Sequence, residues 1–250
     1  MIFTWPILPI IIVFLIAIGV MIGAVSVGGV VMVPALVLLT GIKIHVVVAS
    51  VTFSALFSGA LGTYLYGRQG AIRWSMGLWL GIGAMVGAYS GSAVLIRLPG
   101  VAVEAIVAIL VLATGIHAVF GKAGAAEERP SLAPWAMLLI GFAAAFGSAV
   151  SGAGGPLLLV PILMWIKVPI LTAVGLGQLF QIPVALFATA RNWQSGIVDF
   201  EFGLLIGGCL MLGVFFGARL SAAINAAAVR RIVALVLIGT AIVMFARMAL

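Results

Sequence analysis

Glu104, Glu127, Glu128, Asp199 and Glu201 are the only carboxylates in 250 residues, and none lies deep in an apolar stretch. Ion-coupled exchangers commonly hold their cation on a carboxylate at membrane depth, so no site of that kind for sodium or a metal is expected here. The same scarcity leaves no acid pair for hydrolysis, and no Ser-His-Asp or His-Cys metal spacing is present. His45 lies in a connecting segment beside Lys43, and His117 lies near the end of an apolar run; both read as satisfied or interfacial histidines. Cys209, the single cysteine, has Gly83 as its counterpart in the repeat described below and reads as a small packing residue. Neither an enzyme nor a bound cofactor is expected.

The chemistry that does appear is backbone chemistry. Gly28-Gly29 and Gly152-Ala153-Gly154-Gly155-Pro156 each stand before a short apolar segment, at 30–39 and 157–166. A glycine break followed by a helix start collects free N–H groups and the positive end of a helix dipole, which together attract an anion. Pro156 fits the first helical turn, where its missing N–H costs nothing. Polar side chains follow in the next helix of each copy: Ser50, Thr52, Ser54 and Ser58 in the first, Gln178 and Gln181 in the second. Serine and threonine in apolar helices often bond their own backbone carbonyls, but a glutamine amide needs other partners. Gln178 is therefore expected to face the interior and donate to substrate. Ser148 and Ser151, just before the second break, are further candidate donors. The candidate substrate site is thus Gly28, Gly29, Thr52, Ser151, Gly154, Gly155, Gln178 and Gln181.

These residues are positioned by a chain that repeats itself 126 residues on. Gly28-Gly29 returns as Gly154-Gly155, Gly70 as Gly196, Gly77 as Gly203, Gly87 as Gly213 and Gly91 as Gly217. The register reaches the end, where Ile106-Val107-Ala108 reappears as Ile232-Val233-Ala234. Duplicated glycines mean duplicated geometry, and a two-fold internal repeat with paired helix breaks is a transporter pattern. Gly77 and Gly81, Gly83 with Gly87 and Gly91, Gly203 and Gly207, and Gly213 and Gly217 keep the four-residue spacing that lets helices approach closely.

Apolar residues make up 65% of the chain and charged residues 7%. A soluble surface needs far more charge, so the surrounding solvent is lipid. Apolar stretches at 8–25, 46–65, 75–96, 101–120, 135–150, 170–190, 202–220 and 232–248 are of spanning length or close to it. The short segments are too short to cross alone. The fold expected is all-α and polytopic: two inverted pseudo-repeats, each with a glycine-broken, re-entrant segment and three spanning helices. Residues 1–120 form the first membrane repeat, 121–134 a polar linker carrying Lys122, Glu127, Glu128 and Arg129, and 135–250 the second repeat.

Loop charge favours the inversion. With an odd number of net crossings per half, Arg68, Arg73, Lys122, Arg129, Lys167, Arg219, Arg230 and Arg231 share one side, and Lys43, Arg97, Arg191 and Arg247 the other. If each broken element counts as one crossing, the division is six against six. The positive-inside rule prefers eight against four, which places both termini outside. The net charge of +7 is spread over many loops and reads as membrane anchoring, with no nucleic-acid partner. The N-terminal apolar run has a repeat partner and no preceding Lys or Arg, so it reads as a retained span.

The segments Gly28-Gly29-Val30-Val31-Met32-Val33-Pro34 followed by Gly41, and Gly152-Ala153-Gly154-Gly155 followed by Val160-Pro161, resemble the TauE/SafE family of sulfite exporter-like permeases. The similarity runs through Gly70-Ala71-Ile72-Arg73-Trp74 and Gly196 to the last helix. Ser26-Val27 thins the family's first glycine run, and Ala49-Ser50-Val51-Thr52 replaces its usual Thr-Ser-Leu stretch. The resemblance implies a permease in a bacterial inner membrane that moves small sulfur-containing or organic anions, such as sulfite or sulfoacetate, usually outward. The expected partners are a small anion and the lipid bilayer, with assembly into a homo-oligomer permitted. Two other classes compete with alternating access around a midplane site: an anion channel, and a membrane scaffold in which the glycines serve packing alone.

Overall fold

The computed structural model describes residues 8–25, 29–120, 132–152, 155–220 and 242. Gly28 and Gly154, most of the polar linker and all but residue 242 of the expected last helix at 232–248 lie outside them. The described residues form α1 (Leu8–Val25), α2 (Gly29–Thr40), α3 (Ile44–Arg68), α4 (Trp74–Leu95), α5 (Gly100–Phe120), α6 (Pro134–Ser151), α7 (Pro156–Trp165), α8 (Ile170–Gln194) and α9 (Phe200–Leu220), with no strand among them. Helices are required because backbone groups in hydrocarbon must bond within their own segment. By length and composition α3, α4, α6, α8 and α9 can each cross a bilayer. The two short elements expected after the glycine breaks are α2, of 12 residues, and α7, of 10.

Helix ends recur in register. Gly70 (φ 69°) and Gly196 (φ 68°) close α3 and α8 in the left-handed conformation that glycine adopts without strain. After each, the next amide reaches back into the last turn: Ala71 N–H to Tyr66 O at 3.1 Å, and Ile197 N–H to Asn192 O at 3.3 Å. Gly41 (φ 67°) ends α2; its counterpart after α7 is Lys167, which takes the same backbone shape at φ 65° without glycine's freedom. The geometry is kept although the residue has changed.

The halves are interleaved. Gly83, Gly87 and Gly91 of α4 lie against the carbonyls of Leu138, Phe142 and Phe146 on α6, in the same order, so these helices run parallel. The mirror contact joins α9 to α1: Gly213 and Gly217 meet the carbonyls of Ile16 and Val20, which precede Phe142 and Phe146 by the repeat offset. A methyl on Gly213 would stand only 2.6 Å from the Gly19 Cα, so the glycines set the helix separation. At the centre α3 packs against its repeat-equivalent α8. Gly59 faces Gln181 and Gly62 faces Gln178, an antiparallel crossing.

Candidate functional site

The last described turn of α1 carries the best-defined polar contacts inside this apolar bundle. A helix ends with carbonyls that have no partner of its own, and in lipid each needs a donor. Two side chains from elsewhere supply them. Gln178 of α8 donates its Nε2 to the Ile22 carbonyl at 3.0 Å, and Tyr66 of α3 donates its hydroxyl to the Gly23 carbonyl at 2.6 Å. Gln178 and Tyr66 are completely buried.

The network continues to the second glutamine. Gln181 Nε2 donates to Gln178 Oε1 at 2.9 Å, and the Ser58 hydroxyl donates to Gln181 Oε1 at 3.3 Å. Gln178, read from sequence as facing the interior, is buried there, and so is Gln181. In this conformation the Gln178 amide expected to reach substrate is bonded to the backbone of α1. Ser58 lies near the middle of α3, and Gln178 and Gln181 lie on the inner faces where α3 and α8 cross.

The hydroxyls of the first copy behave as short side chains in apolar helices do. Thr52 Oγ1 donates to the Val48 carbonyl at 2.7 Å and Ser54 to that of Val51 at 2.7 Å. Ser50 instead crosses between halves and accepts the Asp199 N–H at 3.0 Å, at the start of α9. Ser151 donates to the Gly147 carbonyl at 2.8 Å. His45 pairs with the Leu98 carbonyl at 2.9 Å, the satisfied arrangement expected of it.

At the second break Gly152 takes φ 64° and returns its N–H to the Ser148 carbonyl at 2.9 Å. It packs against Val33 of α2 and Val48 of α3, so this break touches the short helix of the other half. Gly155 is buried, and a methyl there would lie 2.6 Å from the Phe180 ring. Gly29 is likewise buried at the start of α2. The candidate residues thus fall into two groups: Gln178, Gln181 and Ser58 joined to the end of α1, and Ser151 and Gly155 flanking the second break. Thr52 joins neither group by its side chain. No cluster of His, Cys, Asp or Glu that could hold a metal occurs among the described residues. An outward-facing groove of about 570 Å³ between α4 and α8, walled by Trp74, Leu78, Ile82, Met85, Leu179 and Leu186, is almost wholly apolar and suits lipid rather than an anion.

The sequence match agrees with this architecture. The family model described as "Sulfite exporter TauE/SafE" matches residues 10–244. The chain belongs to the TauE/SafE family. No curated protein and no solved structure matches it significantly. As a TauE/SafE protein with several spanning helices, it is a multi-pass membrane protein of a transport family.

Sequence reasoning missed Tyr66 and Asn192. Both are polar, completely buried residues near the ends of the third helices of the two copies, and the repeat register pairs them. That pairing was the available signal.

Proposed function

We propose that this TauE/SafE protein is a permease, not an enzyme, that carries small anions across a bacterial inner membrane by alternating access, with sulfite or a related sulfur oxyanion as substrate. The observation that carries the reading is at α1: two carbonyls in its last described turn are held by side chains from both halves. A joint made in that way can open by sliding one repeat against the other, and a rigid scaffold has no use for it.

The inverted arrangement is supported by the antiparallel crossing of α3 and α8. Equivalent helices that cross antiparallel are related by an axis perpendicular to both, which for spanning helices lies in the membrane plane. The crossing puts Lys43 and Arg191 at one end of the bundle and Arg68 and Lys167 at the other, the partition that the loop charges favour. The more basic end is then cytoplasmic. The solute meets free backbone amides at the breaks, and the lipid bilayer is the other partner; no nucleic acid takes part, and copies of the chain are free to associate.

Energetics suit export. An inside-negative potential favours an outgoing anion by about 2.3 kcal/mol per charge per 100 mV, roughly a fifty-fold gradient for a monovalent ion. No coupling ion is needed. The test is flux of sulfite, sulfate, thiosulfate, sulfoacetate and taurine in proteoliposomes with the potential clamped at both signs. Saturable, potential-driven movement of a sulfur oxyanion is expected. Movement of none of them defeats the reading, and flux that never saturates moves it to a channel.

A further inference from the structure

Tyr66 and Asn192 occupy the same place in the two repeats but are used differently. Tyr66 commits its hydroxyl to the last turn of α1. Asn192 is just as buried, yet neither its Nδ2 nor its Oδ1 has a hydrogen-bond partner. The other pair diverges in the same sense: Gln178 reaches Ile22, whereas its equivalent Thr52 bonds its own helix. Two long side chains therefore hold the last turn of α1. The matching positions in the opposite repeats, Asn192 and Thr52, carry two shorter ones.

Asn192 is not alone. Ser92 Oγ, in a completely buried residue, and Thr189 Oγ1, one turn before Asn192, are also without partners. Ala88, Ala149, Val184 and Ala188 share one buried cluster. Ser92 follows Ala88, and Asn192 follows Ala188, by one helical turn, so both continue faces that line the cluster. A methyl on Gly91, next to Ser92, would be 3.1 Å from the Ala149 Cβ in the last turn of α6. Unpartnered buried amides and hydroxyls are costly and rare. Thr63 Oγ1, the repeat counterpart of Thr189, is unpartnered too, but the Tyr89 hydroxyl donates to Gln194 Oε1 at 3.4 Å, which brings the ends of α4 and α8 that carry Ser92, Thr189 and Asn192 to one level.

We infer that Ser92, Thr189 and Asn192 form an oxyanion subsite beside the second break, toward the end of the bundle that carries Arg191. The inference rests on the anion-permease reading and names the form of substrate taken. A carboxamide with both ends vacant needs a ligand that accepts from Nδ2 and donates to Oδ1. A fully ionised oxyanion only accepts, and it would be repelled by the amide oxygen. A monoprotonated oxyanion does both, with hydroxyls that can serve in either sense beside it. Hydrogensulfite has that chemistry; sulfate at neutral pH does not.

The experiment measures binding to purified full-length protein in detergent, using sulfite at mildly acidic pH, where hydrogensulfite predominates, and sulfate as the contrast. Asn192→Leu keeps the shape and removes both polar ends. It should raise the melting temperature of the unliganded protein and weaken hydrogensulfite binding tenfold or more, and Ser92→Ala should weaken binding less. A lower melting temperature in Asn192→Leu, unchanged affinity in both variants, or equal binding of sulfate and hydrogensulfite would each overturn the subsite. Flux separates the two claims. Wild-type binding with no flux defeats the permease and leaves the subsite; wild-type flux with unchanged affinity in Asn192→Leu defeats the subsite and leaves the permease.

Discussion

Gln178 and Ile22 lie 156 residues apart, and the amide of one donates to the carbonyl of the other at 3.0 Å. The bond ties the crossing helix of the second half to the last turn of α1 in the first. It needs room, which Gly62 provides: a Cβ there would collide with Gln178 Oε1 and stand 2.6 Å from its Cδ. The central crossing of α3 and α8 and the end of α1 are therefore one mechanical unit.

Gly62→Ala should dislodge Gln178, breaking its bond to Ile22 and weakening the one from Gln181. The expected loss is about 1–3 kcal/mol of stability, read from thermal unfolding in detergent. Because Gln178→Ala removes the side chain that the added methyl would strike, the double variant should be less destabilised than the sum of the singles, with a coupling of about 0.5–3 kcal/mol. Simple additivity would show that Gly62 and Gln178 do not act together.

Tyr66→Phe keeps the buried ring and deletes the donor to Gly23. Hydrogen bonds inside bundles in lipid average about 0.6 kcal/mol and reach about 1.7, and a carbonyl left bare at a helix end argues for the upper part of that range. A loss of about 1–2 kcal/mol is expected. Amide exchange in the last turn of α1 should rise more than in α9. Protection unchanged there would mean that the turn is held by other contacts.

The glycine register made both short helices legible, because a repeated Gly-Gly ahead of ten or so apolar residues has few other uses. The partners of the breaks were less legible. Nothing local to Gln178 points to a carbonyl in the other half; only the swapped packing of α1 on α9 and α4 on α6 brings them together. Asn192 escaped notice because an asparagine near a helix end reads as a solvated cap, and only its pairing with Tyr66 marks it as interior. Lys167 shows the reverse case, since no residue type signals a left-handed turn where glycine has been replaced.

The interleaved packing gives a prediction with an internal control. Gly87 and Gly213 are repeat-equivalent and press against carbonyls of the opposite half, whereas Gly208 has nothing within 4 Å of a built methyl. Gly87→Ala and Gly213→Ala should each force a helix pair apart, at about 1–3 kcal/mol. Gly208→Ala should be neutral or stabilise by up to about 1 kcal/mol through helix propensity. Equal effects at all three positions would mean that the close approaches do not limit the packing.

Gly155 separates transport from packing most directly. Its backbone (φ −48°, ψ −43°) suits any residue, so alanine adds no backbone strain. The added methyl meets the edge of the Phe180 ring at 2.6 Å and Val184 at 3.7 Å, and both neighbours are side chains that can give a little. Stability should therefore fall by less than about 2 kcal/mol. On the proposed reading the solute approaches the N–H groups opening α7, and the methyl narrows that approach. Gly155→Ala should consequently cut anion flux tenfold or more while the protein still inserts and unfolds cooperatively. If flux per folded molecule is unchanged, the second break is a packing joint and the solute passes elsewhere.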